Sequence, residues 1–146
     1  MEKEALKGRR ARITVTVASH PMYLGVIRAV TERAAILHGL DAPAVAEVKL
    51  AVDEACSNVI KFAYGGNTEK RISVSYGVSR GAFEVLIDDD GEKTSTEAVV
   101  GRDLDDVRVG GLGIHFIKRA FDGVVFDGRK ERGNRLRLVR HKNRTI

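Results

Sequence analysis

The feature of this sequence that most limits its fold is an apolar stripe between Asp41 and Gly65. Six apolar residues recur there at steps that alternate between three and four: Val45, Val48, Val52, Ala55, Val59 and Phe62. This spacing places all of them on one face of an α-helix. Asp41 can cap that helix, Pro43 suits its first turn, and Gly65-Gly66 can end it. The sequence therefore predicts a long helix that must bury one face.

Segments with alternating apolar residues supply a sheet for this helix to cover. The alternation of Ile13, Val15 and Val17 with threonines is typical of a strand. The same kind of argument predicts five strands in all: 12–18, about 70–78, 82–88, 124–127 and 135–139. The second and third strands are joined by a short turn at 79–81, and the last two form a hairpin.

Two further helices are predicted. One begins with Ser19 as N-cap and Pro21 in its first turn, and it runs to about Leu40; the other is short, is opened by glycines and spans 114–121. Hairpin-joined strands with helices on one face indicate an α+β fold, a two-layer sandwich with a mixed, mostly antiparallel sheet. We expect residues 1–146 to form a single domain.

Residues 91–110 lack any clean periodicity and are rich in Gly, Asp and Thr. A loop of about 20 residues in so compact a domain is usually functional, such as a lid over a site. The prediction is therefore a long mobile loop between the third strand and the short helix.

Composition points to the cytoplasm. Cys56 is the single cysteine, which excludes a disulfide framework and fits a reducing compartment. No apolar run approaches the ~20 residues of a membrane span, and residues 1–12 lack the apolar stretch of a signal peptide.

Charge is unevenly distributed along the chain. Residues 128–146 carry eight Lys/Arg and one Glu. A basic end of this kind can bind nucleic acid or an acidic protein surface. The alternative, which we favour, is that Arg135 and Arg137 line the solvated face of the last strand, so we expect no direct nucleic-acid contact.

Three polar residues lie beside the apolar stripe on the long helix. Glu54, Asn58 and Lys61 are spaced by four and three and project from the same side. A carboxylate can take a proton from a hydroxyl, an amide oxygen is a hard ligand for Mg²⁺, and an ammonium can meet a phosphate. The alternative is an ordinary solvated helix face.

Asp88-Asp89-Asp90-Gly91 ends the third predicted strand. Three successive carboxylates repel one another, and a solvated turn is one way to tolerate them. The other is that one aspartate is buried and accepts a hydrogen bond from the exocyclic amine of a base, with Gly91 allowing close approach of the backbone.

A glycine cluster, Gly110-Gly111-Leu112-Gly113, leads into the short helix. Glycines let backbone N–H groups converge, and a helix N-terminus favours anions, so together they suit a phosphate. The cluster lacks the Gly-Lys-Ser/Thr ending of a Walker motif, and it follows a loop rather than the strand of a dinucleotide fold. Plain turns also use such glycines.

In order and spacing these segments resemble the GHKL ATPase superfamily, which has the Bergerat fold and includes gyrase, Hsp90, histidine kinases and MutL. Glu54-Ala-Cys-Ser-Asn58 resembles its N box, Asp89-Asp90-Gly91 its adenine box and Gly111-Leu112-Gly113 its second glycine box. The sequence of residues 50–58 and 110–118 is most similar to the anti-sigma-factor serine kinases, and Gly133–Leu138 resembles their closing strand. The match covers about 13–140.

The resemblance implies roles for single residues. Glu54 would be the general base for a serine hydroxyl, Asn58 would ligate Mg²⁺, and Asp89 would bind the adenine amine. The position of Lys61 on the same helix face, and not the resemblance, predicts that it meets a phosphate. The resemblance further implies ATP and Mg²⁺ as cofactors.

The remaining implied residues surround the nucleotide. Gly91 and the Gly111-Leu112-Gly113 segment would shape the pocket. Residues 92–110 would form the ATP lid, and Arg108 would reach the γ-phosphate.

The resemblance also implies a function. It is that of an ATP-dependent anti-sigma factor, a homodimer that binds a sigma factor and phosphorylates a serine of an anti-anti-sigma antagonist. An ATP-binding module without phosphotransfer and a histidine-kinase-like catalytic domain are the alternatives.

Two positions depart from the pattern. Lys93 stands where the adenine box often has a second glycine, and Phe62 stands where these kinases often have His. The Lys61-Phe62 pair is similar to sensor histidine kinases instead, but those usually carry Asn at the position of Glu54.

Overall fold

Five strands and three helices make up the part of the chain that the computed structural model describes, which is residues 12–91, 111–127 and 133–142. The strands are β1 (Ile13–Ala18), β2 (Arg71–Ser79), β3 (Ala82–Asp89), β4 (Gly123–Asp127) and β5 (Asn134–Arg140). The helices are α1 (Leu24–Leu37), α2 (Ala42–Asn58) and α3 (Gly111–Ala120). All of the predicted strands and helices are present, and their limits differ from the prediction by a few residues at most of the ends.

The sheet has the strand order β1-β2-β3-β5-β4, and each pair of neighbours is antiparallel. It is thus more regular than the mixed sheet expected. The central strand β3 ends at Asp89, which lies between Ile72 of β2 and Asn134 of β5 in the register. The β2–β3 turn places Arg80 and Gly81 at φ 51° and 79°, the backbone of a tight two-residue hairpin.

The apolar face of the sheet packs against the helices and forms the core. The main contributors are Ile72, Val74 and Tyr76 of β2, Phe83, Val85 and Ile87 of β3, Leu136 and Leu138 of β5, and Ile27, Val48, Val52, Ala55 and Ile117 of the helices. The other face carries hydroxyl pairs between β1 and β2, such as Thr14–Ser75 at 3.0 Å and Thr16–Ser73 at 2.8 Å. The two-layer α+β sandwich predicted from the sequence is confirmed.

A buried carboxylate ties three strands together on the face away from the helices. Glu84 of β3 is fully buried, and it forms ion pairs with Arg12, just before β1, and with Arg137 of β5. Arg12 reaches it across Gly77 of β2, where an added Cβ would lie 3.0 Å from Arg12 Cγ. Two guanidinium partners compensate the cost of burying this charge.

The start of the first helix differs from the prediction. Ser19 is not the N-cap, because its hydroxyl donates to the carbonyl of Asn67 at 2.6 Å and accepts from the amide of Lys70 at 3.0 Å. His20 instead caps a 3₁₀ turn, Pro21–Tyr23, that precedes α1. Contacts with a distant loop have overridden the local capping preference.

The end of α2 also departs from a regular helix. After Asn58 the chain forms a π-helical turn, Val59–Ala63, in which the Tyr64 amide donates to the Val59 carbonyl at 3.0 Å. The wider turn changes the direction of the side chains after Asn58, so Phe62, which we expected in the apolar stripe, has 38% of its surface exposed. Such turns are often found at functional sites.

Among the described residues, no helix has both the length and the apolar character needed to cross a membrane.

Candidate functional site

The helices bring several of the predicted site residues to one end of the sandwich. Arg140, at the end of β5, lies 3.6 Å from Glu47 near the start of α2 and donates to the carbonyl of Ala120 at the end of α3. Helix α2 therefore runs away from this end of the sheet and α3 runs towards it. The end of α2 and the start of α3 lie at the opposite end, where β3 finishes. We call this the Asp89 end.

Glu54 and Asn58 lie one turn apart in the last part of α2. Glu54 is half-buried. Asn58 is 1% exposed, and within the described part of the chain neither its side-chain oxygen nor its side-chain nitrogen has a hydrogen-bond partner. An unpaired buried amide costs about 1–3 kcal/mol. An unpaired buried polar group needs an explanation, and binding of an ion or a ligand is one of them.

The three successive aspartates point to three different environments. Asp88 pairs with Arg135 on the face away from the helices, at 2.7 Å. Asp90 pairs with Arg71 at 2.9 Å. Asp89 lies between them and is buried, with 2% exposure. Each carboxylate thus has its own surroundings, which removes the mutual repulsion and leaves one buried acceptor.

Asp89 is held in place by its neighbours. Its Oδ1 accepts from the amide of Gly91 at 2.8 Å and from the side-chain nitrogen of Asn134 at 2.9 Å. Gly91 itself packs against the π-helical turn, and an added Cβ there would lie only 2.5 Å from the Ala63 carbonyl oxygen. The glycine is therefore required for the backbone of this segment to approach the end of α2.

Two residues that contribute to this arrangement were missed in the sequence. Asn134 is buried and orients Asp89 from the neighbouring strand. Tyr64 is also buried, and its hydroxyl accepts from the amide of Asp90 at 2.8 Å. The Gly133-Asn134 pair at the start of the last strand was the available signal, since the antiparallel register places a strand start beside the end of its neighbour.

The other predicted site residues are placed less closely. Lys61 lies in the π-helical turn and is exposed. Gly111, Leu112 and Gly113 are the first three residues of α3, as expected for a helix opened by glycines. Arg108 and the expected lid, 92–110, lie outside the described residues.

Cys56 does not take part in this chemistry. It is fully buried in the core, and burial raises the pKa of its thiol, with the charge of Asp53 adding to the effect. The thiolate that a nucleophile needs is therefore disfavoured. Cys56 is therefore a small residue of the core.

The described residues contain no group of three or more His, Cys, Asp or Glu side chains that would hold a metal ion alone. Mg²⁺ is commonly bound through one or two protein ligands together with substrate phosphates. The unpaired oxygen of Asn58 fits one such ligand, and the nearby start of α3 suits a phosphate. Asp89 offers a buried carboxylate to a base. The donor set at the Asp89 end fits a Mg²⁺-bound nucleotide.

Comparison with known proteins agrees with this geometry. Residues 17–140 match the family described as the histidine kinase-like ATPase domain. The serine-protein kinase RsbW of Listeria innocua is 30% identical over 121 residues, which cover 77% of each chain. The protein of the same name from Bacillus subtilis is 26% identical over 127 residues, covering 82% of this chain and 79% of its own.

A solved structure has a similar fold. The RsbU and RsbW domains of Rv1364c from Mycobacterium tuberculosis superpose with a TM-score of 0.63 at 13% identity. The match covers 90% of this chain and 32% of that one, so this chain spans about a third of its length. The resemblance noted in the sequence is confirmed, and the chain belongs to the family of histidine kinase-like ATPase domains.

Proposed function

We propose that this chain is an ATP-dependent serine-protein kinase that acts as an anti-sigma factor. It would bind a sigma factor and phosphorylate a serine of an anti-anti-sigma antagonist, with residues 1–146 working as one kinase domain. The observation that carries the proposal is that Asn58 and Asp89 lie at the same end of the sandwich. Asn58 is a buried amide without a hydrogen-bond partner among the described residues, and Asp89 is a buried, oriented carboxylate.

Each residue of the site has a distinct role in this proposal. Asp89 accepts a hydrogen bond from the adenine amine, while Gly91 keeps the backbone close to the π-helical turn. The oxygen of Asn58 ligates Mg²⁺. Bound Mg²⁺ neutralises charge on the phosphates of ATP, which is the phosphoryl donor.

Glu54 acts on the protein substrate. Its carboxylate is half-buried and one helical turn from Asn58, so it remains accessible to a serine hydroxyl while lying beside the metal ligand. The carboxylate takes the proton of the hydroxyl as the serine oxygen bonds to the γ-phosphorus of ATP, while the bond from that phosphorus to ADP breaks and ADP leaves. Lys61, Arg108 and the Gly111-Leu112-Gly113 segment are assigned to the phosphates.

The first experiment tests nucleotide binding. Calorimetry of the wild-type chain with ATP and ADP, with and without Mg²⁺, should show binding that Mg²⁺ strengthens. Asp89→Asn should abolish this binding. The amide nitrogen of the new side chain would face the adenine amine, and two hydrogen-bond donors cannot bond to each other. Wild-type affinity in Asp89→Asn would refute the pocket assignment.

The second experiment separates binding from transfer. Glu54→Gln should bind Mg²⁺-ATP nearly as the wild type does, because the change leaves the adenine and metal contacts intact. Its phosphotransfer should fall by about 10²–10⁴-fold, the usual contribution of a general base. Phosphotransfer by Glu54→Gln at the wild-type rate would show that Glu54 is not the general base but an ordinary residue of the helix surface.

A basic nucleic-acid module is a rival from another class. It would use the C-terminal arginines, but Arg135 and Arg137 form ion pairs with Asp88 and Glu84 of β3. That rival predicts DNA or RNA binding that weakens steeply with salt and ignores ATP. A filter-binding titration against salt measures it directly.

The partners require a separate test. A pull-down from the native host, with ATP or ADP present, should recover a sigma factor or a small antagonist protein. We also expect a homodimer, because β1 is an edge strand with exposed hydroxyl side chains on its open face. Light scattering that gives a monomer mass at micromolar concentration would contradict the dimer.

A further inference from the structure

The end of the β2–β3 ladder contains a side-chain hydroxyl. The register pairs Ile72 with Asp89, so Arg71 and Asp90 would form the next backbone pair. At that position the amide of Asp90 donates to the hydroxyl of Tyr64 at 2.8 Å, and the hydroxyl donates to the carbonyl of Arg71. Tyr64 thus bridges the two strands where they would otherwise bond directly.

Tyr64 is also the residue that directly follows the π-helical turn. Its own amide donates to Val59 within that turn, and the preceding Ala63 is the residue against which Gly91 packs. One side chain therefore connects the end of α2, which carries Asn58, to the segment that carries Asp89. The two halves of the candidate site share this contact.

An exposed ion pair lies at the same point and is a weaker contact. The ion pair between Arg71 and Asp90 is formed by side chains that are 63% and 43% exposed, and exposed pairs of this kind contribute little. Tyr64, in contrast, is 8% exposed, and burial raises the pKa of its hydroxyl, so it stays protonated and keeps its donor. The buried hydroxyl is therefore a stronger constraint on the backbone of Asp90 than this exposed ion pair.

We propose that Tyr64 is a positioning residue for adenine recognition, which acts by holding the Asp89–Gly91 backbone against the end of α2. The proposal rests on the proposed function, since it assumes that Asp89 binds the base. Without the hydroxyl, the amide of Asp90 loses its partner and the segment shifts. The carboxylate of Asp89 then moves relative to the nucleotide held at Asn58.

The test compares two tyrosine variants of the full chain. Tyr64→Phe removes the bridging hydroxyl. Tyr76→Phe is the matched control: it removes another buried hydroxyl, bonded to Thr31 at 2.5 Å, from the core part of β2. Calorimetry in the presence of Mg²⁺ gives the affinities for ATP and for inosine triphosphate, whose base has a carbonyl oxygen in place of the amine.

Tyr64→Phe should weaken ATP binding by about 3- to 10-fold, the range of one lost hydrogen bond, and should change inosine triphosphate much less. The preference for ATP over inosine triphosphate therefore falls by nearly the same factor. Tyr76→Phe should leave that preference unchanged, because a loss of folded protein lowers both affinities equally. An unchanged preference in Tyr64→Phe overturns the proposal.

A second measurement needs no variant. In the ATP-bound wild type, the backbone amide of Asp90 should be as protected from hydrogen exchange as the core amide of Ile87. Rapid exchange of the Asp90 amide, with Ile87 still protected, overturns the proposal. Absence of any ATP binding by the wild type is a different result, which removes the proposed function and this inference with it.

Discussion

Asn58 offers a prediction whose sign is opposite to that of most buried substitutions. Asn58→Leu keeps the branched shape of the side chain but removes an amide that is 1% exposed and has no partner. In the absence of nucleotide, we expect the variant to be more stable than the wild type. The strengthening of ATP binding by Mg²⁺ should be lost, because the proposed metal ligand has gone.

The magnitude follows from the cost of the unpaired amide. Burying such a group without a partner costs about 1–3 kcal/mol, which the leucine recovers. The methyl groups of leucine are bulkier than the amide, and the strain of fitting them into the core offsets part of this stabilisation. For a chain of this size each kcal/mol corresponds to roughly 2–4 °C, so the melting temperature should rise by about 2–10 °C.

Nucleotide should reverse the order. A ligand at about 100 times its Kd stabilises the wild type by about 2.7 kcal/mol, and the variant, with a weaker affinity, gains much less. Thermal unfolding of both proteins, with and without Mg²⁺-ATP, measures the two effects together. A crossing of the two stabilities is the expected signature of a residue retained for function.

Asn134→Leu is the matched control. Asn134 is equally buried, but its side chain donates to Asp89, so the variant leaves a buried carboxylate short of one partner and should lose stability. The reasoning is refuted if Asn58→Leu is destabilised to a similar extent, because Asn58 would then be an ordinary structural residue.

Two further perturbations probe the surroundings of the site, and a third probes His38, which packs on Phe83 at the opposite end of the sheet. Gly91→Ala should push the segment away from Ala63, whose carbonyl oxygen would lie 2.5 Å from the new Cβ, at a cost of about 1–3 kcal/mol in unfolding free energy and with weaker ATP binding by calorimetry. Asp88→Asn breaks a half-exposed ion pair, so it should cost under about 1 kcal/mol in urea unfolding and leave the Kd for ATP unchanged. Burial lowers the pKa of His38 below its usual 6.5, and nearby cationic side chains add to the effect. The unfolded chain therefore protonates this imidazole more readily than the folded chain does. As a result, the free energy of unfolding should fall as the pH decreases below about 7. Unfolding midpoints of His38→Gln should show a flatter pH dependence between about pH 7.5 and 5.5.

Features decided by nearby residues were predictable from the sequence. Asp41 caps α2 as expected, with its carboxylate accepting from the amide of Ala44 at 3.0 Å. The β2–β3 turn at Arg80-Gly81 and the alternation in β1 are equally local. Because helix caps, tight turns and period-two alternation depend on a few adjacent residues, the α+β architecture followed from them.

Features that depend on distant residues were not predictable in the same way. Asn134 meets Asp89 across 45 positions, and Tyr64 meets Asp90 across 26. Ser19 has the right residue type for a cap, but the loop at Asn67 takes its hydroxyl. The π-helical turn that exposes Phe62 has no marker in the residue pattern. The grouping of the site residues was anticipated through family resemblance, and their individual roles remain predictions.

The strand order has a consequence for how the protein folds during synthesis. The central strand β3 takes β2 as one neighbour soon after it is made, but its other neighbour, β5, starts 45 positions after Asp89. Until β5 has left the ribosome, β3 has an open edge and Asp89 lacks the side chain that orients it. A nascent chain that stops short of Asn134 therefore cannot complete the adenine pocket that we propose, however well its first helices have formed. Competence to bind nucleotide would arise only when the last described strand is in place, which keeps unfinished chains inactive.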